Sequence, residues 1–135
     1  MGRGNAGAKA SGSRTILLVE DETVVRRGIR RLLVQQGYTV LEASNGAEAL
    51  ALLDDVRTTV HLVLTDVQMP GMGGAQLAAL LAGRRPRIPV LFMTAFAGED
   101  ALGPMDEVGL RRWLLKPFSS EQLADAVREA IGGAP

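Results

Sequence analysis

Two hydrophobic periods alternate along the chain. Short apolar runs at 15–19, 38–42, 60–65, 89–93 and 112–115 predict strands, and amphipathic stretches at 22–36, 46–54, 74–82, about 98–108 and 120–131 predict helices. Val25, Ile29, Leu32 and Leu33 keep the spacing of one buried helical stripe, as do Leu123, Val127, Ala130 and Ile131. Gly37 is placed to end the first helix, Asn45 to cap the second, and Ser119 or Ser120 to cap the last, with Glu121 in its first turn. Apolar strands that alternate with helices predict an α/β fold, an open parallel sheet covered on both faces.

In such sheets ligands bind outside the C-terminal strand ends, at the point where strand order reverses. That rule gathers Glu20, Asp21, Asp66, Thr94 and Lys116, which all follow or close a predicted strand. Three carboxylates in one crevice repel one another, and so favour a divalent metal or a raised pKa. Oxygen ligands that are few in number suit magnesium. Each residue also has a plainer reading. Asp66 can serve as a turn residue before Val67–Gln68–Met69–Pro70–Gly71. Glu20 and Asp21 can favour the N-terminus of the helix that follows, although two acids followed by Glu22 exceed what a helix start needs. Lys116 can snorkel at the surface, but it is the only lysine outside the N-terminal tail among fifteen basic residues. A compact ammonium there can reach a phosphoryl oxygen. Thr94 can cap its strand or donate a hydrogen bond to a bound phosphoryl group, with the small Ala95 beside it leaving the crevice open. His61, the sole histidine, opens a strand away from the crevice and reads as structural.

Composition narrows the classes. A chain of 135 residues with 47% hydrophobic content makes about one domain with a real core. No apolar run is long enough to cross a bilayer, and no signal-peptide pattern opens the chain. Cysteine is absent, which excludes disulfides and thiolate metal sites and fits a cytoplasmic location. Net charge is zero, but residues 1–14 carry +3 and the remainder, with twelve basic and fifteen acidic residues, −3. No basic nucleic-acid footprint marks the folded part, and Arg84, Arg85 and Arg87 around Pro86 read as a solvated loop. Residues 1–14, rich in Gly, Ala and Ser, read as a flexible linker or expression remnant, 15–132 as the domain, and 133–135 as a tail.

The segments ILLVEDE (16–22), LVLTDVQMPGMGG (62–74), LFMTA (91–95) and LLKPF (114–118) stand in the order and spacing of one family. Over about residues 14–132 the chain resembles the receiver domain of two-component response regulators. The resemblance implies a flavodoxin-like, doubly wound sheet of five strands in the order 2-1-3-4-5, with five helices over both faces. It implies that Asp66 accepts a phosphoryl group from a phosphohistidine of a histidine kinase or histidine phosphotransfer domain. Asp21, Asp66 and the backbone carbonyl of Gln68 match the Mg2+ ligands, with Glu20 linked through water. Lys116 and Thr94 match the groups that hold the phosphoryl oxygens, Thr94 and Trp113 the switch pair, and Lys116–Pro117 a cis bond. The acyl phosphate would decay by attack of water. No enzyme beyond this self-phosphorylation and dephosphorylation is implied, nor direct contact with nucleic acid or membrane; a weak homodimer is compatible.

Four positions depart from the family's commoner pattern. Glu20 stands where Asp is more frequent, and Gly73 where an Asp often caps the third helix. Trp113 replaces a Tyr or Phe, and driving an indole into a packed pocket costs about 1–3 kcal/mol. Gly103–Pro104 interrupts the fourth predicted helix. The wording GYTVLEASNGAEAL (37–50) and RIPVLFMTAF (87–96) looks like receivers of hybrid histidine kinases, so the expected parent is either a stand-alone regulator or a hybrid kinase, the latter placing the domain on the cytoplasmic side of a membrane-bound sensor. Two other readings compete. One is an interaction module with a receiver fold that works without phosphorylation, favoured by Trp113 and the interrupted helix. The other is a metal-dependent phosphatase with an aspartyl nucleophile, which expects a second Asp where Gln68 stands.

Overall fold

The computed structural model describes residues 13–67, 74–83, 88–94 and 111–132. Strands β1 (Thr15–Val19), β2 (Thr39–Ala43), β3 (Leu62–Asp66), β4 (Val90–Thr94) and β5 (Arg111–Leu115) form one parallel sheet in the order β2-β1-β3-β4-β5. Helices α1 (Thr23–Gln35), α2 (Gly46–Asp54), α3 (Gly74–Leu81) and α4 (Ser120–Gly132) pack against it. Five helices were expected, and four lie among the described residues. The stretch at about 98–108, with Gly103–Pro104, falls outside them, as do Gly73 and the arginines at 84, 85 and 87.

The central strands β1, β3 and β4 are buried on both faces because they are largely apolar, whereas β2 and β5 at the edges are partly exposed. Ile16 and Leu18 of β1 face one core with Leu62, Leu64, Leu91 and Met93, closed by Ile29 and Leu33 of α1 and Leu123 and Val127 of α4. Leu17 and Val19 face the other with Val63 and Phe92, closed by Ala49 of α2 and Leu77 and Leu81 of α3. The alternation follows from the two-residue period of a strand.

Local chemistry sets the element ends. Gly37 adopts φ 101°, the left-handed region that favours glycine, and stops α1. Gly37 N–H donates to the Val34 carbonyl, and Tyr38 N–H to that of Leu33. Asn45 caps α2, its Oδ1 accepting from Glu48 N–H at 2.8 Å, while Glu48 Oε1 accepts from Ser44 N–H and Oγ. Of the two serines offered for α4, Ser119 is the cap: its Oγ accepts from Gln122 N–H, and Gln122 Oε1 accepts from Ser119 N–H, a reciprocal capping box. His61 lies at the opposite end of the sheet from the carboxylates, where its Nδ1 accepts from Thr15 N–H at 2.9 Å, a structural role. No helix among the described residues is long and apolar enough to cross a membrane.

Candidate functional site

Sheet hydrogen bonding continues one residue past several strands, and this carries the polar side chains into register. Glu20 N–H donates to the Ala43 carbonyl, Val67 N–H to that of Met93, and Lys116 N–H to that of Thr94 at 2.8 Å. The residues just beyond β1 and β5 therefore stay in register with the neighbouring strands. Asp66 closes β3 and Thr94 closes β4, where it is buried. The Lys116–Pro117 bond is cis, as the resemblance implied.

Lys116 reaches across the sheet edge. Its Nζ donates to Asp66 Oδ2 at 2.8 Å and to Glu20 Oε1 at 3.2 Å. Glu20 is 1% exposed, and its Oε2 accepts from Glu22 N–H at 3.1 Å. Burial raises the Glu20 pKa above the ordinary carboxylate value, against the opposing pull of the Glu22 N–H and the Lys116 charge. Burial acts to lower the Lys116 pKa, but its hydrogen bonds and charge pairing with Asp66 and Glu20 prevail and raise it. Asp21 completes the cluster from the exposed side. One carboxylate oxygen from each of Glu20, Asp21 and Asp66 lies within 4.8 Å of the others. The ligands of one magnesium ion, bound at about 2.1 Å, stand at most about 4.2 Å apart. The three acids need only a small side-chain adjustment to share such an ion, so the donor set fits it.

The structure thus brings together Glu20, Asp21, Asp66 and Lys116, with Thr94 on the adjacent strand end. Gln68 and Ala95 lie outside the described residues. Trp113, on β5, stacks on Phe92 with ring centroids 4.8 Å apart and an interplanar angle of 28°, and it remains 40% exposed. Sequence reasoning missed Arg26, whose Nη1 donates to the Glu20 carbonyl at 2.9 Å and whose Nε donates to Glu42 Oε1 at 3.0 Å. An arginine one turn into an amphipathic helix looks like any solvated charge, and nothing in the spacing marks it.

A doubly wound α/β domain with acids and a lysine gathered at its switch point defines a class, the flavodoxin-like signalling domains. The family model for the response regulator receiver domain matches residues 16–128, and the chain belongs to that family. It is a phosphoacceptor domain of two-component signalling. Among similar proteins, the sensor kinase CckA of Brucella abortus is 44% identical over 125 residues, 90% of this chain and 13% of that kinase. The positive alginate biosynthesis regulatory protein of Pseudomonas aeruginosa is 43% identical over 118 residues, 85% of this chain and 46% of that protein. The chain therefore spans less than half of either relative. Among solved structures, the signal receiver domain of a Syntrophus aciditrophicus signal transduction histidine kinase is similar with a TM-score of 0.79 at 29% identity, covering 90% of this chain and 92% of that one. The response regulator TrrA of Thermotoga maritima, solved in complex with Mg2+–BeF, is similar with a TM-score of 0.75 at 25% identity, covering 87% and 98%.

Proposed function

We propose that Asp66 is the residue phosphorylated, with Lys116 and Thr94 as its phosphoryl-binding partners. The observation that carries this reading is the 2.8 Å bond from Lys116 Nζ to Asp66 Oδ2 beside two further acids. An Asp66 oxygen attacks the phosphorus of a phosphohistidine. The P–N bond breaks, its electron pair returns to the imidazole, and an acyl phosphate remains on Asp66. Such transfer needs positioning and charge neutralisation more than covalent help. Lys116 supplies a point charge for the arriving phosphoryl oxygens, and the Thr94 hydroxyl a hydrogen-bond donor at the end of the neighbouring strand. Asp21 and Asp66 would hold Mg2+ directly, with the Gln68 backbone carbonyl, and Glu20 would do so through water. When bound, the ion neutralises phosphoryl charge. The Mg2+–BeF complex of TrrA supports this reading.

The donor we infer is a histidine kinase or a histidine phosphotransfer domain. Likeness to the sensor kinase CckA supports a hybrid-kinase parent. We infer residues 15–132 as its receiver on the cytoplasmic side, with turnover of its own phosphate as the chemistry of the isolated domain. Thr94 and Trp113 are the proposed switch pair.

Intact-mass measurement after incubation with Mg2+ and acetyl phosphate tests the assignment. The expected result is one phosphoryl adduct, absent in Asp66→Asn. An adduct of the same yield in that variant would move the acceptor elsewhere.

A further inference from the structure

Arg26 lies outside the crevice, on α1, and its side chain is 17% exposed. Its guanidinium is held by Glu42 of the edge strand β2, through Nε at 3.0 Å, while Glu42 Oε2 lies 3.3 Å from Arg30 Nε. The other end of the guanidinium takes the Glu20 carbonyl at 2.9 Å. That oxygen belongs to the peptide unit joining Glu20 to Asp21. The unit is planar and trans, so fixing its oxygen fixes the direction in which the chain enters Asp21. Asp21 follows that carbonyl directly, in a segment also held by Glu20 N–H on the Ala43 carbonyl and Glu22 N–H on Glu20 Oε2. The Asp21 carboxylate is exposed and makes no hydrogen bond or ion pair among the described residues, whereas Glu20 and Asp66 are both tied to Lys116.

We propose that Arg26 is a positioning residue for the cation site: oriented by Glu42, it clamps the Glu20 carbonyl and so places the Asp21 carboxylate opposite Asp66. The inference rests on the magnesium reading of the crevice and extends it to a helix and an edge strand that contribute no ligand. Arginine suits the task because its planar fork serves two acceptors at once, which one ammonium on a flexible stem does less well.

The sign of the effect separates positioning from simple charge. Removing a cation near a cation site strengthens metal binding on Coulombic grounds. Loss of a positioning contact weakens it, by about 10–100-fold for partners that orient metal ligands. Isothermal titration calorimetry with MgCl2 on wild type, Arg26→Met, Arg26→Lys and Arg30→Met reads this directly. Arg30→Met is the control, since it shares Glu42 and does not touch Glu20. The expected result is at least about tenfold weaker Mg2+ binding in Arg26→Met, partial recovery in Arg26→Lys, and unchanged or slightly tighter binding in Arg30→Met. Unchanged or tighter binding in Arg26→Met overturns the proposal, as does equal weakening in Arg30→Met. Should Arg26→Met not fold, Arg26→Lys carries the test, since it keeps the charge and loses the planar fork: weaker Mg2+ binding than wild type there supports the proposal, and unaltered binding overturns it. Absence of Mg2+ binding by the wild-type chain sinks the cation reading itself and this inference with it, a result distinct from a variant that merely matches wild type.

Discussion

Lys116 bonds to both Glu20 and Asp66, and on the proposed reading a divalent ion held beside Asp66 would compete with its ammonium for that carboxylate. Lys116→Met keeps the length of the side chain and removes the charge. Without Mg2+, the buried Glu20 then loses a charged partner, and stability should fall by about 1–3 kcal/mol, read as a lower urea midpoint. With saturating Mg2+ the deficit should shrink, because the ion binds only the folded crevice and now meets no competing cation. Equal gains from Mg2+ in wild type and variant would show that the lysine does not oppose the ion. At this scale the sequence was informative where composition was unusual: one lysine in the folded body and three acids at strand ends. It was silent on Arg26, because a hydrogen bond to a backbone carbonyl leaves no mark in residue type.

Element ends were readable because capping is local. Asn45, Gly37 and Ser119 act where the residues around them said they would, and β2 and β3 close one residue or so later than the apolar runs suggested. Those extra ladder positions come from pairing with neighbouring strands, which the run itself does not contain. The α2 cap carries a pH signature. Hydrogen bonds from the Ser44 backbone N–H and then its hydroxyl lower the Glu48 pKa below 4.5. A carboxyl group with a depressed folded-state pKa contributes stability that is fully present above its unfolded value and is lost as pH falls through the folded one. Urea midpoints of wild type and Glu48→Gln should therefore differ near neutrality, with wild type higher, and converge as the pH drops below 4.5. A gap that stays constant through acid would assign the cap's strength to shape and not to charge.

Successive residues of β1 enter opposite cores: Ile16 and Leu18 pack toward α1 and α4, Leu17 and Val19 toward α2 and α3. Neither face can dissolve without exposing the strands that the other needs. Unfolding should be a single cooperative transition, with Trp113 fluorescence and far-ultraviolet circular dichroism tracing the same curve in urea. Separated curves would mean that the β4–β5 edge opens on its own.

What the sequence determined by itself was the set of pieces: strand and helix identities from their periods, the caps from local hydrogen-bonding capacity, and the acids, hydroxyl and lysine at strand ends from the rule for parallel sheets. Tertiary structure decided what these pieces do to one another. The bond from Lys116 to Asp66 spans fifty residues, and Arg26 reaches both Glu20, just past β1, and Glu42 of the edge strand β2. Periodicity is a property of neighbours along the chain, whereas the distance between charges is a property of strand order and register, which only the packed sheet sets.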